Sequence, residues 1–424
     1  MNFDRMRALL LEQAVQGKLV SQLEDEPAVE QIGEVPKIEP FAIPKKWKWV
    51  RLNAVGKVIG GGTPKTGVSA YWNGDIPWIT PADLGKNHDQ IICSGAKLIT
   101  QKGLDESAAR LMPKGSIVYS SRAPIGHIAI AGNDLCTNQG CKSFVPESKC
   151  ISTEWAYYML IARTSDIQSR ASGTTFKEIS GKGMGETWIS LPPLPEQIRI
   201  VTKIEKSFTE INRAEKAYRE LQTLTAVLRK KILQEAVMGK LVPQLDGEPA
   251  VEQIGDAPED VPFAIPEKWK WVQFKSTCSS LDGKRVPVKK SDRKKQARNF
   301  PYYGATGIID YVENYIFDGT YLLIGEDGAN LLSKAKDNAF MVSGKFWLNN
   351  HAHIFESNEV AELSYLRLVI NSMSLNPYVT GSAQPKLTQK KLLSIPVPLP
   401  PLTEQRRIVA KVEELMAQVD RLAN

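Results

Sequence analysis

Apolar residues recur at steps of three and four along one long segment of the chain, residues 196–237. The stripe consists of Val201, Ile204, Phe208, Ile211, Ala214, Tyr218, Leu221, Leu224, Leu228 and Ile232. This spacing predicts one amphipathic helix, with Pro195 in its first turn and Gly239 after its last. A helix of about 44 residues, at ~1.5 Å per residue, would be about 66 Å long. Such a length favours a coiled coil over a helix buried in a globular core.

The segments on either side of this helix have shorter periods. Apolar runs at 115–119, 128–131 and 321–324 are typical of strands, and helices are predicted near 153–161 and 361–370. Turns are expected at Asn73-Gly74, Ala123-Pro124, Asp282-Gly283 and Asp327-Gly328. The pattern predicts two mixed α/β domains and an α+β fold class overall.

An internal repeat defines the organisation of the chain. Residues 17–50 recur at 239–272 with identity at 25 of 34 positions, and the Leu-Pro-Pro-Leu entry at 191 recurs at 399. The two offsets, 222 and 208, differ because the blocks between the repeats differ in length, and those blocks share no convincing similarity. The chain is therefore a repeated frame that carries two different inserts.

The two ends of the chain complete this repeat. Residues 404–422 match the first half of the long helix, and residues 1–17 match its second half. We expect them to lie end to end as a second, interrupted helix, antiparallel to the continuous one in a pseudo-two-fold cyclic repeat. The predicted segments are an N-terminal helix and linker (1–40), a first insert (41–190), a central helix and linker (191–262), a second insert (263–398) and a C-terminal helix (399–424).

Charge is divided between the frame and the inserts. The first insert has 18 Lys and Arg against 11 Asp and Glu, the second has 18 against 12, and the rest of the chain has a net charge of −6. Two basic inserts on an acidic frame favour a polyanionic partner, with double-stranded DNA foremost. Five cysteines without a C-x-x-C pair, together with the lack of a signal-peptide pattern or a long apolar run, predict a protein of the reducing cytoplasm without a membrane partner.

One basic cluster in the second insert is the sharpest candidate for phosphate contacts. It comprises Lys284, Arg285, Lys289, Lys290, Arg293, Lys294, Lys295 and Arg298, beside the aromatic Tyr302 and Tyr303. Such contacts give affinity without sequence information. A solvated basic loop is the alternative.

Polar side chains suited to base edges lie in short segments of both inserts. In the first insert they are Ser120, Ser121, Arg122, Asn138, Gln139, Lys142, Thr174, Thr175 and Lys177, with Lys65 as a further DNA contact. In the second they are Asn349, Asn350, Gln384 and Lys386, with Thr306 and Lys345 as further contacts. For any one of these residues, a turn or strand end that satisfies its own backbone is the better interpretation. Taken together they favour a DNA-binding face.

Motifs for chemistry are missing from the sequence. No Gly-Lys pair is followed by the Ser or Thr of a phosphate-binding loop, and Asn376-Pro377-Tyr378 resembles a methyltransferase motif only in part. His351 and His353 lack a third metal ligand at a suitable spacing. We therefore expect a non-catalytic chain without a bound metal or cofactor.

With two unlike basic inserts on a cyclically repeated helical frame, the sequence resembles the specificity subunit of type I restriction–modification systems. The resemblance covers essentially the whole chain. It is carried most specifically by the paired Leu-Pro-Pro-Leu-Pro-Glu-Gln and Leu-Pro-Pro-Leu-Thr-Glu-Gln entries, and also by Gly61-Gly62-Thr63-Pro64, Trp72 to Ile79, Gly173 to Ile179 and Tyr303 to Gly307.

The resemblance implies that each insert is a target-recognition domain for one half of an asymmetric, bipartite DNA site. The helices would set the spacing and dock two methylation subunits, which bring S-adenosylmethionine, while restriction subunits would add ATP- and Mg²⁺-dependent activity. Two other hypotheses compete with this one: an autonomous methyltransferase or nuclease, and a coiled-coil adaptor whose basic domains bind nucleic acid or protein without restriction–modification.

Overall fold

The computed structural model describes residues 1–122, 124–173, 177–293, 297–381 and 383–423. The chain divides into two compact units, Met1–Ala217 and Tyr218–Asn424. Each unit holds one insert between two helical segments, which confirms the repeated α+β architecture. Within the described residues, no helix combines the length and the apolar character needed to cross a bilayer.

In the part of the first unit that the structure describes, there are five α-helices and the start of a sixth. They are α1 (Phe3–Val15), α2 (Pro81–Lys86), α3 (Gln101–Asp105), α4 (Thr153–Ser169), α5 (Gly181–Gly185) and α6 (Leu194–Val237). Its strands are β1 (Lys48–Arg51), β2 (Gly56–Gly60), β3 (Trp72–Ile79), β4 (Ile91–Ile92), β5 (Lys97–Ile99), β6 (Ile117–Tyr119), β7 (Ile128–Ala131), β8 (Cys136–Thr137), β9 (Lys142–Pro146) and β10 (Trp188–Leu191).

The described residues of the second unit form the end of α6 and five further α-helices. They are α7 (Lys290–Arg293), α8 (Asn330–Ser333), α9 (Leu363–Ser372), α10 (Gln389–Leu393) and α11 (Leu402–Ala423). Its strands are β11 (Lys270–Gln273), β12 (Cys278–Ser280), β13 (Phe300–Gly304), β14 (Gly307–Val312), β15 (Phe317–Gly325), β16 (Ala339–Leu348), β17 (Ala352–Ser357), β18 (Val379–Thr380), β19 (Lys386–Leu387) and β20 (Pro396–Leu399).

The long helix forms as the periodicity predicts. Helix α6 is continuous for 44 residues, and Gly239 follows its end with a φ of +69°, a conformation that favours glycine. A Cβ at Gly239 would collide with Pro266, so the ring of that proline occupies the space that glycine leaves. Gly17 ends α1 against Pro44 in the same way.

A terminal helix runs antiparallel to one part of α6 in each unit. In the first unit, Leu11 of α1 shares an apolar cluster with Ile204, while Arg7 bonds to Asn212 at 2.7 Å. In the second unit, Val412 of α11 shares a cluster with Ala236, and Arg229 pairs with Asp420. By the offsets of the repeat, Arg229 and Asp420 correspond to Arg7 and Asn212.

The two inserts contain different sheets. The first insert has a five-stranded sheet in the order β2-β9-β6-β7-β4 and a three-stranded sheet in the order β5-β3-β8. The second has a six-stranded sheet in the order β12-β17-β15-β16-β13-β14 and the pair β18-β19. Helix α4 packs against the five-stranded sheet and α9 against the six-stranded one, so each insert has a core of its own.

Each insert is closed at its base by an equivalent strand pair. Strand β1 pairs antiparallel with β10, matching Lys48 to Leu191, and β11 pairs with β20, matching Lys270 to Leu399. The chain thus enters and leaves each insert through one short ribbon, which we call the neck (β1 with β10, or β11 with β20).

The turn predicted at Asn73-Gly74 is wrong. Both residues lie inside β3, where the pairing with β5 shifts register between Trp72 and Ile76. Asn73 has a φ of +62°, which Asn tolerates better than most residues. The turn-forming residues therefore make a bulge within a strand.

Candidate nucleic-acid interface

Several loops of the first insert meet at one place, and candidate DNA contacts lie on them. Gly61 N donates to Cys141 O at 3.2 Å, and Ser121 N donates to Gly140 O at 2.8 Å. Ile179 N donates to Ser121 O at 3.1 Å, which adds the loop before α5. We call the assembly of segments 61–65, 120–122, 138–142 and 177–179 the first loop cluster.

The first loop cluster exposes part of the predicted set. Lys65, Gln139 and Lys177 are exposed, and Arg122 and Asn138 are half-buried. These five side chains are therefore accessible to a duplex. Asn138 also fixes its own loop, since its Oδ1 accepts from Gly140 N at 2.9 Å.

The two serines of the set are buried and serve the fold instead. Ser120 Oγ donates to Pro124 O at 2.7 Å and accepts from His127 N at 2.8 Å. Ser121 Oγ donates to Gly140 O at 3.0 Å. Both side chains hold the loop in shape and leave no exposed hydroxyl for a base edge.

Glu178 organises the cations of the first loop cluster. Its carboxylate pairs with Lys142 at 3.0 Å and with Arg122 at 3.6 Å. The backbones of Arg122 and Glu178 also form an isolated antiparallel β-bridge. The Lys142 ammonium further donates to Gln139 O at 3.0 Å. The sequence pattern did not mark Glu178 as a candidate, because its ion pairs join it to residues 36 and 56 positions away. Its proximity to Lys177 in the sequence was the one available signal.

In the second insert the basic segment lies beside an aromatic surface. Lys284, Lys289, Lys290 and Arg298 are exposed. Arg298 lies 5.6 Å from the ring centroid of Tyr311, a distance that permits a cation–π contact. Exposed Lys345 lies 4.6 Å from the ring of Tyr315, so a second cation extends the same kind of surface.

Exposed Arg298 lies 3.3 Å from Asp310. Two further arginines of the basic segment, both half-buried, are also paired with acids. Arg285 donates to Glu326 at 2.6 Å and lies 3.3 Å from Asp282, with its side chain only 13% exposed. Arg293 pairs with Asp310 at 3.0 Å and stacks on Tyr302 at 4.6 Å. These arginines brace the domain, whereas the exposed lysines are available for phosphates.

Other predicted residues of the second insert fall into two groups. Thr306, Asn350, Gln384 and Lys386 are exposed. Tyr302 and Asn349 are buried: the Tyr302 hydroxyl accepts from Val288 N at 3.0 Å, and Asn349 Oδ1 accepts from His351 N at 2.8 Å.

Tyr303 is half-buried, and its ring packs on Phe346 at 5.4 Å against the edge of an apolar cluster. Burial raises the pKa of its hydroxyl. The predicted contacts Thr174, Thr175, Lys294 and Lys295 lie outside the described residues.

The histidines of the second insert contact acids. His351 Nδ1 lies 2.7 Å from Asp327, and buried His353 lies between Asp282 at 2.5 Å and Leu387 O at 2.8 Å. In the described part of the chain, no group of three or more His, Cys, Asp or Glu side chains is arranged to hold a metal ion. The five cysteines are unpaired, and burial raises the pKa of Cys136, Cys141 and Cys278 to about 12.

Comparison with known families identifies both units. The family described as "Type I restriction modification DNA specificity domain" matches residues 44–221 and 266–423. Each match begins just before a neck and runs into the helices that follow the insert.

Among curated relatives, the type I restriction enzyme MjaIX specificity subunit of Methanocaldococcus jannaschii is 41% identical over 162 residues, covering 38% of this chain and 37% of that protein. The EcoR124I/EcoR124II specificity subunit of Escherichia coli is 31% identical over 39% of this chain and 42% of its own length. The alignments with the first three relatives span less than half of each relative. The EcoprrI specificity subunit of Escherichia coli is 24% identical over 87% of both chains.

Two solved structures have a similar fold. One, described as showing complex assembly and conformational transition of the type I R-M system, has a TM-score of 0.66 at 18% identity and covers 91% of this chain and 93% of that one. The HsdS subunit from Thermoanaerobacter tengcongensis has a TM-score of 0.57 at 18% identity, with coverage of 90% and 92%.

Proposed function

The chain belongs to the family of type I restriction–modification DNA specificity subunits, and from that premise we propose that each insert recognises one half of an asymmetric, bipartite DNA site. The observation that carries the proposal is the repeated neck, which holds two unlike basic domains. Equal necks attach both domains to the frame in the same way, while unequal surfaces recognise unequal sequences.

We propose that the exposed side chains of the two inserts have two different roles in DNA binding. The exposed lysines 284, 289 and 290 bind backbone phosphates and supply affinity that depends on salt. Arg122, Asn138 and Gln139 in the first loop cluster, and Asn350 and Gln384 in the second insert, are the groups that can reach base edges. Arg285 and Arg293, which pair with Glu326 and Asp310, stabilise the second insert that carries these side chains.

We further propose that the chain acts without catalytic residues of its own. The helices set the distance between the half-sites and dock two methylation subunits, which bind S-adenosylmethionine. Restriction subunits that use ATP and Mg²⁺ complete the assembly in the prokaryotic cytoplasm. In support, the frame is acidic while the inserts are basic, so partner subunits and DNA would use different surfaces.

The test is to map methylated adenines across the genome of cells that express the methylation subunit with and without this chain. The proposal expects a split motif that depends on the chain. If purified complex binds DNA with no sequence preference and no dependent motif is found, the proposal fails and a general nucleic-acid or protein adaptor takes its place.

A further inference from the structure

A small cavity in the second unit gathers three lysines. It has a volume of about 260 Å³ and lies between the second half of α6, the loop after α8 and the C-terminal end of α9. Its lining includes Lys230, Lys334, Lys336, Asp337, Asn338 and Asn371. Three ammonium groups against one carboxylate leave an excess of two positive charges.

Lys334 is fixed in the cavity by the end of a helix. Its Nζ donates to Asn371 O at 3.2 Å and to Met373 O, the carbonyls at the C-terminal end of α9. Its backbone lies in the left-handed region with a φ of +50°. Burial lowers the pKa of Lys334, the charge of Lys230 lowers it further, and Asp337 acts in the opposite direction. The fold therefore holds two cations close enough to repel each other.

Lys230 and Lys336 have free side chains. Within the described residues, neither ammonium group makes a hydrogen bond or an ion pair. Lys336 is nevertheless held by its backbone, since its N donates to Asn330 Oδ1 at 2.9 Å and its O accepts from Asn330 Nδ2 at 3.0 Å. Cations that are anchored but uncompensated create a positive potential, which an anion would neutralise.

Asn338 supplies a second, independent indication of an anion. The residue is only 3% exposed. Its Oδ1 accepts from Asn330 Nδ2 at 2.6 Å and its N donates to Asn371 Oδ1 at 3.0 Å. Its Nδ2, by contrast, has no hydrogen-bond partner in the described part of the chain. A buried donor without an acceptor is costly, and an acceptor oxygen in the cavity would satisfy it.

We propose that this cavity binds a phosphate group, which is either a backbone phosphate of bound DNA or part of a free anion. The first source rests on the proposed function. It is favoured by position, because Asn338 O accepts from Gly325 N at 2.8 Å and Gly325 pairs with Ala352. The cavity is thus one strand away from the segment that carries exposed Asn350. The repeat confines the site to the second unit, since Ala8 corresponds to Lys230.

The test compares full-length wild type with the double variant Lys230→Gln/Lys336→Gln. Lys231→Gln is the matched control, because Lys231 neighbours the cavity lysine on α6 but pairs with Glu235 at 3.8 Å. The first measurement is thermal unfolding in inorganic phosphate against chloride at equal ionic strength. Phosphate should raise the midpoint of wild type and of the control more than that of the double variant; general salting-out acts on all three alike.

The second measurement is the dependence of duplex DNA affinity on salt. If a backbone phosphate fills the cavity, the slope of log K against log salt falls by about 0.9 in the double variant, with equal loss on every sequence. If only the response to phosphate is lost, the ligand is a free anion. Equal phosphate responses and equal slopes in all three proteins would overturn the site. If the wild-type protein binds all duplexes equally, the proposed function fails. The response of its unfolding midpoint to phosphate would still support the anion site.

Discussion

The two units use the same frame contacts but build different inserts on them. Arg199 pairs with Glu26 at 2.6 Å in the first unit, and Arg407 pairs with Glu248 at 2.6 Å in the second. In the first unit, Gln197 Oε1 accepts from the backbone N before α4, and Gln405 does the same for α9 in the second.

A lysine in each linker shows the same constancy. The Lys46 ammonium donates to three carbonyls of the first linker, those of Leu23, Glu24 and Glu26. Lys268 donates to the three equivalent carbonyls of the second. Because irregular backbone must satisfy its polar groups with side chains, these residues recur wherever the linker recurs. High identity in a loop can thus report internal hydrogen bonding rather than an interface.

The inserts differ because the frame constrains only their necks. Between β1 and β10 the chain forms five- and three-stranded sheets, and between β11 and β20 it forms a six-stranded sheet and a pair. Any domain whose ends meet as an antiparallel ribbon satisfies the same frame. The difference teaches that the recognition surface can change while the frame stays constant.

The largest effect should come from exchanging the first insert. Replacement of residues 41–190 by the corresponding block of a relative with another target should change one half of the methylated motif completely. The other half should be unchanged, because the second insert has its own core. Motif mapping in cells measures this. Changes in both halves would mean that the units do not act independently.

The next effect concerns the buried side chain that ties each insert helix to its neck. Trp155 Nε1 donates to Ser190 O at 3.3 Å, and Tyr365 hydroxyl donates to the equivalent Pro398 O at 2.6 Å. Trp155→Ala removes a buried ring that also packs on Trp47 and should lower the free energy of unfolding by about 3–5 kcal/mol. Tyr365→Phe leaves only a carbonyl without its donor, at a cost of about 1–3 kcal/mol.

Denaturant unfolding of both variants measures this difference. A larger loss from Tyr365→Phe than from Trp155→Ala would show that the hydrogen bond, not the packed ring, connects helix to neck. Trp155→Phe is a useful control, since it keeps an aromatic ring and removes the donor in the first unit as well.

Much of the fold follows from the sequence alone. The period of 3.6 fixed α6 to within two residues at its start, since its apolar stripe is uninterrupted. The helix predicted at 153–161 continues to Ser169 because Ile167 is buried in the core, which local pattern did not reveal. The Asn73-Gly74 turn failed because turn-forming residues also permit a bulge.

The candidate site was less predictable from the sequence, for a physical reason. An arginine such as Arg285 can bind a phosphate, yet its guanidinium group already forms ion pairs with Asp282 and Glu326. Ser121 and Tyr302 have hydroxyl groups that could contact DNA, but burial assigns both to the domain interior. Whether a polar group is free depends on neighbours that are distant in sequence, such as the 41 residues that separate Arg285 from Glu326.

A smaller effect should distinguish the exposed lysines of the second insert from its arginines that pair with acids. Lys289→Gln/Lys290→Gln should lower affinity for all duplexes and reduce the salt slope by up to about 1.8, because each lysine can release about 0.9 counterion per phosphate. Arg293→Gln should instead destabilise the domain, because Asp310 loses its nearest cation. DNA titrations at several salt concentrations, with unfolding curves for each variant, distinguish them. A sequence-selective loss in the lysine variant would make these residues base contacts.

The smallest effect tests how closely the frames match, through one buried acid in each unit. Glu196 and Glu404 are fully buried in the first turns of α6 and α11. Burial raises the pKa of both carboxyls, and the nearby indoles of Trp47 and Trp269 act in the opposite direction. Folding therefore favours the protonated form of each acid. The resulting stability is present at acidic pH and is lost as pH rises through the raised pKa.

Glutamine has the same size and does not titrate, so Glu196→Gln should be more stable than wild type near neutral pH, and the gap should close as pH falls below the ordinary carboxyl range. Glu404→Gln should give the same curve, because the residues that shift its pKa are the equivalents of those around Glu196. Urea unfolding of each variant from about pH 4 to about pH 8 measures both curves. If only one variant gains stability, the surroundings of Glu196 and Glu404 differ in polarity. The identical residues of the two repeats would then preserve the same fold without preserving the same electrostatic environment.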